Sequence, residues 1–268
     1  MKHPIDPKVD CVFKALLGSE SNINLLIHFL NAMLQGELAA PICSVEILNP
    51  YNEKEFLDDK LSIVDVKAKD QQGRLYQIEI QLAIKPYLPA RMLYTWTDIY
   101  SKQLESGDSY AKLCPTYSLW LLAKNLLTDA ESNHYVHDYQ LRNRHGQNLI
   151  AHGGIWLFEL PKFVTQQVTT EQERWLKFFR EAPQLDDEQL PSWMHTNEMR
   201  QAMETLKRFS DKQRDYFAYQ ARQNYIREQL SMQEEMNAVQ AALQEKNAAL
   251  QEKDAEIIRL RALLAEKL

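Results

Sequence analysis

Asp65 interrupts an apolar run, with Ile63 and Val64 before it and Val66 after it, while Glu79 and Gln81 stand two residues apart in Leu75-Tyr-Gln-Ile-Glu-Ile-Gln81. Alternation of this kind marks a strand, and residues two apart in a strand share a face. Between the two segments lies Lys69-Asp-Gln-Gln-Gly-Arg74, whose Asp and Gly suit a hairpin turn. Such a hairpin aligns Asp65 with the face that carries Glu79 and Gln81. A carboxylate inside an apolar strand is costly unless it is paired or holds a metal, and two that converge are better explained by a divalent cation than by mutual contact. Oxygen ligands suit a hard ion such as Mg²⁺, which keeps several waters and takes its remaining ligands from a substrate phosphate. The chemistry that follows is phosphodiester cleavage, with Gln81 as the third polar group beside the nucleophile. The plainer alternative is a pair of carboxylates on an exposed sheet face, answered by Lys67 or Lys69.

Several elements are needed to position these residues. From Val9 to Leu34, apolar residues recur at spacings of three and four with a break at Gly18-Ser19, which predicts two amphipathic helices. Ser44 to Leu48, Lys60 to Ala68 and Leu75 to Gln81 alternate as strands. From Ala90 to Ser106 helical periodicity returns, with Gly107 placed to end it. Tyr117 to Ala123 is nearly continuously apolar, as expected of a central strand covered on both faces. His134–Tyr139 and Gly154–Leu160 read as further strands near the sheet edge, with the Arg142–Gly153 loop leaving their pairing open. This order predicts an α/β sandwich around a mixed sheet.

After Pro161 the chain turns helical and polar, punctuated by Pro183 and Pro191. Beyond about Arg222 there is no Gly or Pro, and Ala242-Leu-Gln-Glu-Lys-Asn-Ala248 is followed by its near copy Ala249-Leu-Gln-Glu-Lys-Asp-Ala255. Met236, Leu243, Leu250, Ile257 and Leu264 fall one heptad apart, with Val239 and Leu260 on a companion position otherwise held by Lys246, Lys253 and Lys267. A stripe this narrow predicts a coiled coil with a second copy, against the alternative of a single solvated helix. The expected organisation is residues 1–160 for the α/β domain, 161–221 for a helical region and 222–268 for the coiled-coil helix.

The 45% hydrophobic content supports a packed core. A net charge of -6 argues against a wholly basic nucleic-acid binder while leaving room for a basic face. The three cysteines, Cys11, Cys43 and Cys114, have no CxxC or Cys/His pairing and read as reduced core residues. The histidines show no repeating metal spacing, no Gly-rich phosphate loop appears, and no apolar stretch is long enough to span a membrane. A cytoplasmic location is the default expectation.

The order Asp65, Glu79-Ile80-Gln81 resembles the D…(D/E)xK signature of restriction-endonuclease-like nucleases, the PD-(D/E)XK superfamily, with Gln in place of the usual Lys. Flanking residues narrow the likeness. Asp10-Cys-Val-Phe-Lys14, Asp65-Val-Lys-Ala-Lys-Asp70, Gly73, Arg91 with Tyr94, Tyr100-Ser-Lys-Gln-Leu104, Gly107 and Tyr110 are similar to the Rpn family of recombination-promoting nucleases and transposases, from about residue 5 to about residue 125. The resemblance implies a restriction-endonuclease-like fold and metal-dependent DNA endonuclease activity linked to recombination and mobile elements. Asp65 and Glu79 would be the metal ligands, Asp10 from the first helix would complete the catalytic set ahead of Glu20, and Gln81 would take the usual lysine position. Gln is neither a general base nor a cation.

Lys14, Arg91 and Lys102 are candidate DNA contacts, Arg91 and Lys102 forming with Tyr94 an aromatic-basic stripe that also suits packing against the sheet. Three functions compete: a homodimeric endonuclease, a catalytically weak nuclease fold acting through DNA binding or regulation, and an adaptor built around the repeat-bearing helix.

Overall fold

The computed structural model describes residues 1–48, 65–128 and 133–265. Helix α1 (Asp10–Leu17) buries Val12, Phe13, Leu16 and Leu17, and α2 (Ile23–Met33) buries Leu25, Leu26, Phe29, Leu30 and Met33, the three-and-four spacing that makes one apolar stripe. Gly18 closes α1, its N–H bonded to the Lys14 carbonyl. A Cβ at Gly18 would lie 2.9 Å from that carbonyl oxygen and 3.2 Å from the Val66 side chain, so glycine lets helix and sheet approach.

Among the described residues, six strands form one mixed sheet, the α/β architecture expected from the sequence: β1 (Val45–Leu48), β2 (Val66–Asp70), β3 (Leu75–Gln81), β4 (Thr116–Leu122), β5 (Val136–Tyr139) and β6 (Gly153–Glu159), in the order β1-β2-β3-β4-β6-β5. The β1–β2–β3 side is antiparallel, β3, β4 and β6 are parallel, and β5 runs antiparallel on the far edge. The expected hairpin is β2–β3. The Asp70 carboxylate builds its turn, accepting the N–H groups of Gln72 and Arg74, the Arg74 Nε and the Tyr76 hydroxyl. The segment expected as a strand from Lys60 lies outside the described residues up to Val64, and Asp65 stands one residue ahead of β2.

Helix α3 (Leu88–Ser101) is the crossover that the parallel β3–β4 pair requires. It ends six residues before Gly107, contrary to the expected stop. Gln103 explains the early exit: its amide bonds both backbone groups of Cys114 and the Thr116 hydroxyl, drawing the chain toward β4. Gly107, with φ 91°, serves instead in the loop that follows. Leu88 and Met92 of α3 pack on Trp120, Leu122 and Leu157, which fixes one sheet face. The opposite face carries the stacked Tyr76–Tyr117 pair, with Trp156 beside Tyr117. Every residue of β4 is buried, as a strand covered on both faces must be.

The β5–β6 pairing is helped by a tight loop in which Arg142 and Asn148 form an isolated bridge. Glu159, at the end of β6, accepts the N–H groups of Leu126 and Leu127 and bonds His137 and Lys162. The cysteines depart from expectation: Cys43 is exposed, and Cys11 and Cys114 are only half-buried, because their positions fall outside the apolar stripes.

The chain divides into compact units Met1–Tyr219 and Gln220–Leu268. In the first, α4 (Glu171–Glu181) and α5 (Asn197–Asp211) pack on α2 and α1. Trp175 and Phe179 of α4 meet Phe29, and Phe179 also meets Phe13. The chain's opening residues reach the same region: the His3 N–H donates to Ser210 and the Asp6 N–H to Tyr219. The second unit is the continuation of one long helix, α6 (Gln213–Ala265). Among the described residues no helix is long and apolar enough to cross a membrane.

Gly153 opens β6 with φ 84°, where an added Cβ would run into the Thr116 carbonyl. Gly153→Ala should lower stability by about 2–4 kcal/mol, read by urea melts.

Candidate active site

The hairpin register pairs Val66 with Ile78, so Asp65, one step further, stands opposite Glu79. The Ile80 N–H donates to Asp65 Oδ2 at 3.0 Å, fixing that carboxylate to the neighbouring strand. Lys14 Nζ, from α1, lies 3.5 Å from Asp65 Oδ1. Glu79 is 1% exposed. Its Oε1 accepts from Gln77 Nε2 at 3.3 Å, and its Oε2 from Gln81 Nε2 at 3.3 Å and from Arg91 Nη2 at 3.3 Å.

Behind Glu79 runs a buried polar chain. Gln77 donates to the Thr95 hydroxyl of α3 and accepts from Ser118 of β4, which in turn accepts from the Trp120 indole N–H. Every member has a partner, as burial demands. The Arg91 guanidinium also lies 5.6 Å from the centre of the Trp120 ring, so the indole helps hold the cation beside Glu79.

Burial, then the Asp65 charge, pushes Glu79 up to about 8 against the pull of Arg91. Burial likewise raises Asp65, opposed by the Ile80 N–H and Lys14 and reinforced by the charge of Asp10. Two carboxylates that both resist ionisation are what a divalent cation relieves. An ion that keeps several waters needs only one or two carboxylates, so the donor set of Asp65 and Glu79 fits Mg²⁺ or another hard divalent cation. Among the described residues no three His, Cys, Asp or Glu side chains converge to hold a metal without further ligands.

The structure brings Asp65, Glu79, Gln81, Lys14 and Arg91 together, with Asp10 close enough for its charge to reach Asp65. Lys102 is not among them: it follows the far end of α3 and pairs with Asp98 at 3.0 Å. The exposed-face alternative fails for Glu79, whose ionic partner is Arg91 and not Lys67 or Lys69. Gln77, Thr95 and Ser118 went unforeseen. Gln77 shares the phase of Glu79 and Gln81, and that in-phase polar triplet was the available signal.

The chain matches the model of the family described as PD-(D/E)XK nuclease family transposase over residues 7–236. No curated protein and no solved structure matches it.

A Glu79 held at about 8 in the fold, against 4.5 ordinarily, keeps its proton over a range where the unfolded chain has lost it. The folded state therefore binds more protons, and stability falls as pH rises across that window. Urea melts in EDTA between pH 5 and 8 should show this decline, and Glu79→Gln should flatten it; an unchanged slope in the variant would assign the decline elsewhere.

Proposed function

We propose that this chain, which belongs to the PD-(D/E)XK nuclease family transposases, is a divalent-metal-dependent DNA endonuclease that hydrolyses phosphodiester bonds in the service of recombination or mobile elements. The observation that carries this reading is the facing pair of Asp65, largely shielded just ahead of β2, and Glu79, buried on β3, both raised by desolvation and by neighbouring negative charge.

Asp65 and Glu79 would hold the ion, Mg²⁺ or a relative. Such an ion, when bound, supplies a polarised phosphoryl oxygen and a water of lowered pKa. The chain's own contribution is placement. The Ile80 N–H fixes Asp65, while Gln77 and Gln81 fix Glu79 from either side along β3. Gln81 can orient a water through its amide but cannot take its proton, so it is a positioning group and not the base. Asp10 adds a negative charge beside Asp65 that favours a cation there. Lys14 and Arg91 supply positive charge for the phosphate backbone.

A second reading is favoured by Gln81: an amide where nucleases of this type carry lysine fits a slow enzyme or a DNA-binding regulator. The two separate on plasmid nicking with Mg²⁺, Mn²⁺ or Ca²⁺ against EDTA. Metal-dependent nicking is expected, reduced about a hundredfold or more in Asp65→Ala and Glu79→Ala proteins of verified fold. Nicking that survives both substitutions would sink the assignment, and none under any metal would favour the regulator.

The second copy expected from the heptads is part of the same proposal. Met236, Val239, Leu243, Leu250 and Ile257 are each roughly half or more exposed on α6, a stripe that a parallel helix of the same sequence would cover. The side chains of Leu260 and Leu264, and Lys267, lie outside the described residues. We expect a dimer in light scattering and a monomer for Leu243→Glu/Leu250→Glu; a monomeric parent chain would remove the coiled coil from the account. A dimer would let two sites address two strands of DNA, in the cytoplasm where such a chain would work.

A further inference from the structure

Each candidate metal ligand already has a cation against it. Lys14 Nζ lies 3.5 Å from Asp65 Oδ1, and Arg91 Nη2 lies 3.3 Å from Glu79 Oε2. The two cations come from different elements, α1 and α3, and approach different carboxylates. Their side chains are 42% and 37% exposed, whereas those of Asp65 and Glu79 are 15% and 2% exposed. The anions are thus held in place, while the cations sit at the ends of long arms that reach solvent.

A divalent ion entering between the carboxylates meets two positive charges at close range. Repulsion in a poorly hydrated site is strong, so the ion's hold is weak while both cations remain. A phosphoryl anion changes this balance: it offers both side chains an alternative partner, a geometry that arginine in particular meets with two parallel bonds. Withdrawing them from Asp65 and Glu79 frees carboxylate oxygen for the ion, and the ion in turn adds its own attraction for the anion.

We propose that Lys14 and Arg91 are exchangeable counter-ions that occupy Asp65 and Glu79 until a DNA phosphate takes them, so that the site binds its divalent cation and its DNA cooperatively. The proposal rests on the reading of Asp65 and Glu79 as metal ligands. By linkage the factor by which DNA tightens the ion equals the factor by which the ion tightens DNA.

The test is calorimetric titration of the full chain with Ca²⁺, alone, with a short duplex shown intact afterwards on a gel, and with inorganic phosphate. Wild-type protein should bind Ca²⁺ roughly tenfold or more tightly with the duplex. Lys14→Gln and Arg91→Gln, checked for fold by circular dichroism, should bind it more tightly than wild type without DNA and lose most of the difference, while Arg91→Lys should keep it. Tightening by the duplex alone, or by inorganic phosphate as well, supports the proposal when Lys14→Gln and Arg91→Gln lose it; tightening that persists undiminished in both variants would overturn the exchange, because a phosphate that ligates the ion gives that much by itself. Equal Ca²⁺ affinity with and without the duplex in wild type would overturn the exchange and leave the ligand assignment standing. Absence of Ca²⁺ binding in every condition would overturn the ligand assignment, and the exchange with it.

Discussion

A carboxylate held inside the sheet is the constraint on which the rest of the molecule turns. Glu79 sits on β3 almost wholly removed from water, and a buried carboxyl group is tolerable only when its oxygens are hydrogen-bonded or paired. The chain meets that demand from three directions. Gln77 and Gln81 flank the carboxylate along its own strand, Arg91 reaches it from α3, and Ser118 with Trp120 on β4 completes the chain behind Gln77. Each partner is supplied by a different packing relationship, so the site is as well defined as the β3–β4–α3 junction that makes it.

The mixed sheet follows from the same requirement. An antiparallel neighbour, β2, lets a short turn place Asp65 opposite Glu79. A parallel neighbour, β4, requires a crossover, and the crossover helix carries Arg91 and Thr95 over the strand it has just left. Helix α1 adds Lys14 at the other carboxylate. Two cations therefore meet the carboxyl groups at one place in a chain whose net charge is -6.

Much of this was readable in the residues, and the failures have physical reasons. The spacing of Val12, Phe13, Leu16 and Leu17 reports a helix because only a helix puts them on one face. Alternation through Leu75–Gln81 identified β3 and the face that Glu79 and Gln81 share, but gave no sign that both faces are covered. Polarity and exposure part company there because α3 covers the polar face, and the place where a crossover helix lands depends on long-range packing that no local pattern encodes. The same ignorance hid the partner of Glu79: Arg91 read equally as a DNA contact or a packing residue, and its pairing with Glu79 had no local signal. Gly107 was mistaken for a helix stop because glycine marks positive φ wherever it is needed, while the true exit was set by Gln103 reaching for Cys114.

The contacts of the chain's opening residues with Ser210 and Tyr219 bear on the order in which the molecule can be made. The strands and helices that carry Asp65, Glu79 and Arg91 all leave the ribosome well before α4 and α5, whose aromatic side chains cover α1 and α2. Until about residue 219 has emerged, the helical layer that supports Lys14 lacks its cover and the first residues lack their anchor. Prematurely terminated chains would thus carry the candidate site residues without the setting that orders them, so half-made copies would not present an assembled site.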